Sequence, residues 1–403
     1  MAEQELQPRN AIDEDQLVKW AGSLDASDAL RASAGRIFAA TGLPGRRIEG
    51  WRWTDVRAAA SKLAEPKGHK PSLIGPIGPL ELEFVSGNNS HSAPAERAGV
   101  RWSSGVLAEA VLPLDAMPMA ALAVAASWPK QQRTIEVTET IADPIRLIFA
   151  GSGERYWCHT RVRVTAGVEA TVIESHSNSD EISSVLVEYD VADGATLNRV
   201  IWQDGSLGAV MAAAGTVRLG KGSRLNQTTL AFGAKLARME TRVLHAVGGS
   251  EATLNAVYMV GAGRHADLTS HVQHAAPSCV TRQSVKGLAR ARGRGVFQGK
   301  FLVERNGQKT DAQMQHNALL LEEGAEINAK PELEIYADDV TCNHGNTSGQ
   351  LDAAALFYMR QRGIPEAEAR AMLAESFVAE ALSGAGAWAD LLMEEARAWL
   401  NAS

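Results

Sequence analysis

The sequence predicts a mainly β chain, a parallel β-helix (solenoid) with an α-helical domain at each end. Three observations carry that reading. A short glycine-led motif recurs at a near-constant period through the middle of the chain. Each copy leads into alternating or β-branched sequence. Helical spacing of apolar residues falls on either side of that region.

The recurring motif reads Gly194-Ala-Thr-Leu-Asn, Gly222-Ser-Arg-Leu-Asn, Gly249-Ser-Glu-Ala-Thr-Leu-Asn and Gly324-Ala-Glu-Ile-Asn. A weaker copy is Gly167-Val-Glu-Ala-Thr, and Pro277-Ser-Cys-Val-Thr holds a matching place. From 167 the spacings are 27, 28, 27 and 28 residues. Self-similarity at such a period marks a repeat architecture. Apolar spacing near 3.6 and the pattern of leucine-rich repeats are both missing, so the repeats are not helical hairpins. Glycine at a fixed place suits a corner, because it takes positive φ at little cost.

Four segments follow: an N-terminal helical domain over 1–65, an irregular linker with a short strand and helix over 66–133, the β-helix core over 134–350, and a C-terminal helical domain over 351–403. In the first, Leu30, Ala34, Ile37 and Phe38 share one helical face, and the turn Gly42-Leu43-Pro44-Gly45 ends that helix. The linker is rich in proline and glycine from Pro66 to Pro94, with one strand candidate at Leu80–Val85. In the last, Ile364-Pro365-Glu366 is a helix start. Ala369, Met372, Leu373 and Phe377 then form one apolar stripe, and Trp388, Leu391, Leu392, Ala396 and Trp399 another. Open strand edges at the ends of a solenoid must be capped or paired, and terminal helices suit capping as well as partner docking.

A chain of 403 residues, 45% hydrophobic and 22% charged, is ordinary for a folded soluble protein. Its net charge of -7 offers no overall attraction for nucleic acid or anionic membrane. The start, Met1 to Asn10, lacks the apolar core of a signal peptide. The most apolar stretch, Ala110 to Trp128, carries Asp115, Pro113 and Pro118 and is a poor membrane span. The three cysteines, Cys158, Cys279 and Cys342, form no CxxC pair, which suits a reducing cytoplasm.

The sharpest candidate pair is Cys342 and His344. On an extended strand, residues i and i+2 share a face, so a thiol and an imidazole project side by side. Both suit iron and cluster chemistry, yet two ligands make at most half a site, and spacing alone favours a packed cysteine with a satisfied histidine. His265, Asp267, His271, His274 and Cys279 cluster in sequence but match no common ligand spacing. Gly215 to Ser223 imitates a phosphate-binding loop, but Gly222 stands where a hydroxyl is needed after Lys221, which argues against intrinsic ATPase activity. Arg282 to Arg305 holds seven basic residues and one acid, Glu304. With only Phe297 and Phe301 interleaved, a solvated strand face or an acidic protein partner fits better than nucleic acid. No nucleophile elbow, HExxH or catalytic carboxylate pair stands out.

Taken together the residues resemble the SufB/SufD family of iron–sulfur cluster assembly proteins, most closely its SufD branch. The likeness spans roughly 40 to 380. It rests on Arg294-Gly-Val-Phe-Gln-Gly-Lys300, Gln308-Lys-Thr-Asp-Ala312, Lys330-Pro-Glu-Leu-Glu-Ile-Tyr-Ala-Asp-Asp-Val340, Cys342-Asn-His-Gly345 and Leu356-Phe-Tyr-Met-Arg-Gln-Arg-Gly-Ile364. The segment from Leu43 to Asp55 resembles the family's Arg-Arg-x-Glu-x-Trp motif. Around Cys342 and His344, Asn343 and Asn346 depart modestly from the family's pattern.

The resemblance implies a right-handed parallel β-helix and a non-catalytic scaffold. Its partners would be a SufB-like paralogue, met through the C-terminal end of the β-helix, and a SufC-like ABC ATPase, met through the C-terminal helices. It assigns His344, with Cys342 second, to iron or a nascent cluster at the shared interface. Asp338, Asp339, Val340 and Gly345 would belong to the SufB-type interface, and Tyr358, Arg360, Arg362, Gly363 and Ile364 to ATPase docking. No cofactor would be tightly bound to the isolated chain; iron or an iron–sulfur cluster would be held transiently with SufB. Rival readings are a SufB-like subunit that builds the cluster, a homodimer of solenoid ends, and a β-helix polysaccharide-active enzyme. The last is disfavoured by the missing acid cluster.

Overall fold

The computed structural model describes residues 13–402, apart from 25–27, 62–80, 86–97, 106, 128–131, 152–154, 179–181 and 262. Its centre is a β-solenoid in which the chain alternates between two sheets. Numbered in chain order, one sheet holds β1 (Glu81–Val85), β4 (Ile145–Gly151), β6 (Glu169–Asn178), β8 (Thr196–Gln203), β10 (Arg224–Ala231), β12 (Glu251–Val260), β14 (Val280–Ala289), β16 (Asp311–Leu320) and β18 (Thr341–Gly349). The other holds β2 (Val100–Ser104), β3 (Arg133–Val137), β5 (Tyr156–Val164), β7 (Ile182–Val191), β9 (Val210–Leu219), β11 (Leu236–His245), β13 (His265–His274), β15 (Arg294–Val303) and β17 (Glu326–Ile335). Strand pairing is parallel except between β2 and β3. The fold class is therefore the predicted one. Of the strand candidate Leu80–Val85, Glu81–Val85 form β1, while Leu80 and most of the proline- and glycine-rich stretch around it lie outside the described residues.

The recurring glycines are the corners. Gly167, Gly194, Gly222 and Gly249 all take positive φ, between 60° and 77°, and each sits one turn of the solenoid from the next. Ser278 and Lys309 continue that column with φ of 58° and 60°. Gly324, grouped with these copies by sequence, belongs to the opposite corner, in line with Gly263 and Arg292.

Inside the tube, inward-facing residues such as Val172, Leu197, Val217, Leu254, Val272 and Phe301 form one continuous core. Each outer face is covered by helices. On the sheet that runs from β2 and β3 to β17, Ile182, Leu186, Val210, Ala214 and Leu236 pack under α2 (Ala29–Thr41) and α4 (Pro118–Ala126). Every residue of α4 is buried, which explains the unbroken apolar run there. Among the described residues no helix is long and apolar enough to cross a membrane. On the sheet that runs from β1 and β4 to β18, Val200, Trp202, Leu230, Phe232, Val257 and Leu288 pack under α6 (Glu366–Leu382) and α7 (Ala389–Asn401). The buried face of α6 is Ala369, Ala374, Val378, Ala381 and Leu382; of the predicted stripe Ala369 is buried, whereas Met372 is 47% exposed.

The N-terminal motif is clamped to the solenoid by a buried polar node. Asp267, fully buried, accepts from Thr54 Oγ1 (2.5 Å), Arg238 (3.1 Å) and Gln298 (3.2 Å) on one oxygen and from Thr269 (2.8 Å) on the other. Arg238 also donates to the Gly50 carbonyl and stacks 3.9 Å over the Trp51 ring. Burial alone would raise the Glu240 carboxyl, but Arg242 and Arg238 beside it hold it at about 2. Glu49 reaches one strand further, to Lys330 on β17 (2.7 Å).

Candidate functional site

The corner columns place β17 and β18 at the end of their sheets, each with one edge that no neighbouring strand pairs among the described residues. Burial fades there. Ala312, Met314 and His316 on β16 are fully buried, while no residue of β17 or β18 is. The tube is open at this end, and its last rung carries Cys342 and His344.

Register fixes where they face. Cys342 lies against Ala312, His344 against Met314 and Asn346 against His316. Ala312 and Met314 belong to the interior core, so this row of β18 is the inward row. The two candidate ligands therefore share a face and lie at the mouth of the tube. Cys342 is half-buried and packs against the core, as Ile327, Ala329 and Leu333 of β17 also do. Burial pushes its thiol up, the Asp311 charge adds to this, and a hydrogen bond with the Ala312 backbone opposes it. His344 is exposed, with no hydrogen-bond or ion-pair partner among the described residues. Sulfur and imidazole nitrogen both suit iron, so the donor types fit such a cargo. Among the described residues no group of three or more His, Cys, Asp and Glu is placed to hold a metal.

The other predicted positions lie around this mouth or just beyond it. Asp338 and Asp339 are exposed in the turn before β18, where the Asp339 carbonyl accepts from Lys309 N (2.5 Å) and Asp339 N donates to Gln308 (3.0 Å). Val340 is half-buried and Gly345 exposed. Next comes α5 (Ala353–Gln361), started by Asp352 accepting from two backbone amides and burying no residue. Phe357 and Tyr358 on it are 61% and 57% exposed. The Arg362 guanidinium stacks over Tyr358 and donates to its hydroxyl (2.8 Å), and Arg360 pairs with Glu366 (3.2 Å). Gly363 has φ of 86° at the turn into α6, beside half-buried Ile364.

The remaining sequence candidates are absorbed by structure. His265, Asp267 and His271 face outward from β13, and His274 faces inward against Thr281 (2.8 Å), so the cluster is split across the sheet. Gly215 to Ser223 is the end of β9 and a solenoid corner. Within the basic run, Arg282, Arg294 and Lys300 pair with Asp311, Glu326 and Glu334 of the next rung, and Lys286 and Arg290 engage Glu380 and Trp399 of the C-terminal helices. Sequence reasoning did not find His316 and Tyr258 beneath the mouth. They are 58 residues apart and 2.9 Å from each other, and nothing in local spacing joins them.

Comparison with known proteins now bears on this end of the tube. The SUF system FeS cluster assembly, SufBD core domain, matches residues 148–377, a span covering most of the solenoid, its open end and α5. The chain belongs to the SufB/SufD family. An iron–sulfur cluster assembly SufBD family protein of Mycobacterium tuberculosis is 26% identical to it, covering 90% of this chain and 91% of that one. The iron–sulfur cluster assembly protein SufD of Escherichia coli is 28% identical, covering 84% and 85%. The chloroplastic ABCI7 protein of Arabidopsis thaliana is 30% identical over 55% of this chain. Within the SufB/SufD family the chain is SufD-like, and its general role is iron–sulfur cluster assembly.

Proposed function

We propose that this chain is a non-catalytic scaffold subunit of a cytoplasmic SUF complex, whose open solenoid end joins that of a SufB-like subunit. The observation that carries the reading is the pairing of an unpaired sheet end with inward Cys342 and His344 on its last rung. An unpaired edge is a template for another strand, and two donors need a second surface to close a metal site. Both needs are met at once by a partner docking end to end through β17, β18 and the turn Asp338–Val340.

On this reading His344 binds iron or a nascent cluster through an imidazole nitrogen, and Cys342 is the secondary donor. The thiol must lose its proton to ligate, so its raised pKa keeps it neutral until a cation arrives. Packing of Cys342 against the apolar core would limit water on its inner side. A SufC-like ATPase would dock on α5, whose Phe357 and Tyr358 remain largely exposed, Tyr358 carrying only the Arg362 guanidinium. Because α6 is anchored from Ala369 onward, a pull on α5 would reach β18 through the short link Gln350–Asp352.

Co-purification of the full chain with SufB-like and SufC-like partners tests the arrangement. Thr341 N donates to the Thr310 carbonyl just before β16, so the N–H groups of every second residue from 342 face the unpaired edge. Ser348→Pro, which removes one of these, should release the SufB-like partner and spare the ATPase. Phe357→Ser with Tyr358→Ser should do the reverse, with stability unchanged within about 0.5 kcal/mol. Retention of both partners by both variants would contradict the docking scheme.

A further inference from the structure

Directly beneath Asn346, His316 is fully buried. Its imidazole lies flat on Phe297, with centroids 4.9 Å apart and planes 9° from parallel, and nearly parallel to Tyr258 at 5.9 Å. His316 Nε2 is 2.9 Å from the Tyr258 hydroxyl, and Nδ1 is 2.7 Å from Asn346 Oδ1. The room for Tyr258 is made by Gly287 and Gly295, where a Cβ would come within 2.1 and 2.2 Å of its ring. Three residues on three strands are thus held in one file that runs from the core to the mouth of the tube.

The file has a direction. A neutral imidazole offers one donor and one acceptor, and burial favours the neutral form of His316. If Nε2 carried the proton, the Tyr258 hydroxyl would accept it and its own proton would be left without an acceptor inside the core, a costly arrangement. With Tyr258 O–H donating to Nε2 and Nδ1–H donating to Asn346 Oδ1, both buried protons are accepted. The amide oxygen of Asn346 is then turned inward. Its two Nδ2 protons have no protein acceptor among the described residues, and they sit on the exposed rung, two positions from His344 on the same face.

The geometry points to Asn346 as a hydrogen-bond donor to an anionic sulfur ligand, sulfide or thiolate, beside His344, with Tyr258 and His316 as the residues that position it. This rests on the open end being the assembly site. The imidazole and thiol at positions 344 and 342 attract a cation, and its remaining ligands in cluster chemistry are anionic sulfurs, which accept amide N–H bonds that tune their stability. Asn346 supplies such a donor, and the relay behind it prevents the amide from flipping to present its oxygen.

Two experiments on the full-length protein test this. In the first, histidine-selective ¹⁵N NMR, assigned by difference from His316→Gln, should show His316 as the Nδ1–H tautomer; an Nε2–H tautomer overturns the inference. In the second, the reconstituted complex is loaded with iron and sulfide. Asn346→Asp retains the acceptor for His316 but replaces the donor with a negative charge. It should lower cluster retention by about tenfold, the worth of one charge-assisted hydrogen bond, while thermal stability and subunit stoichiometry stay as in wild type. Normal retention by Asn346→Asp with loss in His344→Ala sinks the role of Asn346 alone. Normal retention by both variants means that the site itself has been misplaced.

Discussion

Replacing Asp267 with alanine should loosen the N-terminal motif from the solenoid. The carboxylate is fully buried and takes four donors, of which Thr54 belongs to the motif and Arg238 and Gln298 also hold the Gly50 carbonyl. Removing one partner of a buried ion pair costs about 3–5 kcal/mol. Arg238 keeps Glu240 at 3.0 Å, so it is not stranded, and the cost should lie near the lower end, about 3 kcal/mol. Thr54→Val preserves shape and leaves Asp267 three donors, but it strands the His265 Nε2–H that the hydroxyl accepts at 3.1 Å. That should cost about 1–2 kcal/mol. Urea denaturation gives both values, and hydrogen exchange over residues 46–56 shows where the loss falls. A cost under about 1 kcal/mol for Asp267→Ala, or unchanged exchange in the motif, would refute the clamp.

Three further outcomes are expected. Gly287→Ala places a Cβ 2.1 Å from the Tyr258 ring and should destabilise by about 1–3 kcal/mol, measured by thermal denaturation; a neutral result would mean Tyr258 is free to move. Stability should fall as pH drops from 6.5 toward 4, because burial holds His265, His271 and His274 at about 4 and the unfolded chain takes protons first. It should fall again from 4.5 toward 2, because Glu174, beside Arg199 and His176, and Glu240 are held at about 2 despite burial, and Glu174→Gln should weaken that second limb in a pH series of urea midpoints. Thiol labelling of the native chain should modify Cys342 slowly, faster at higher pH, and leave buried Cys158 and Cys279 untouched until unfolding; rapid labelling of Cys279 would contradict the packing.

The solenoid was legible because glycine is cheap at positive φ and so marks a corner in sequence. The signal thinned where Ser278 and Lys309 adopt the same backbone, and it misled at Gly324, which has the right residues at the wrong corner. The stripe on α6 was half legible. Periodicity identifies a face, but which face docks depends on the sheet below, and that sheet took Ala374 and Val378 and left Met372 outside. Cys342 and His344 could be read as neighbours because a strand's period is two. The clamp around Asp267 and the file behind Asn346 could not, since each joins residues brought together by register alone, Gln298 and Gly50 being 248 positions apart.

The central claim is that His344 meets the cargo at a shared solenoid end. It is tested most directly by pulsed electron paramagnetic resonance on the reconstituted complex, with ¹⁵N-histidine in this chain only. A ¹⁵N coupling to the nascent iron centre that disappears in His344→Ala, with the complex still assembled, is the predicted result. A centre of normal yield with no histidine coupling from this chain would contradict the account.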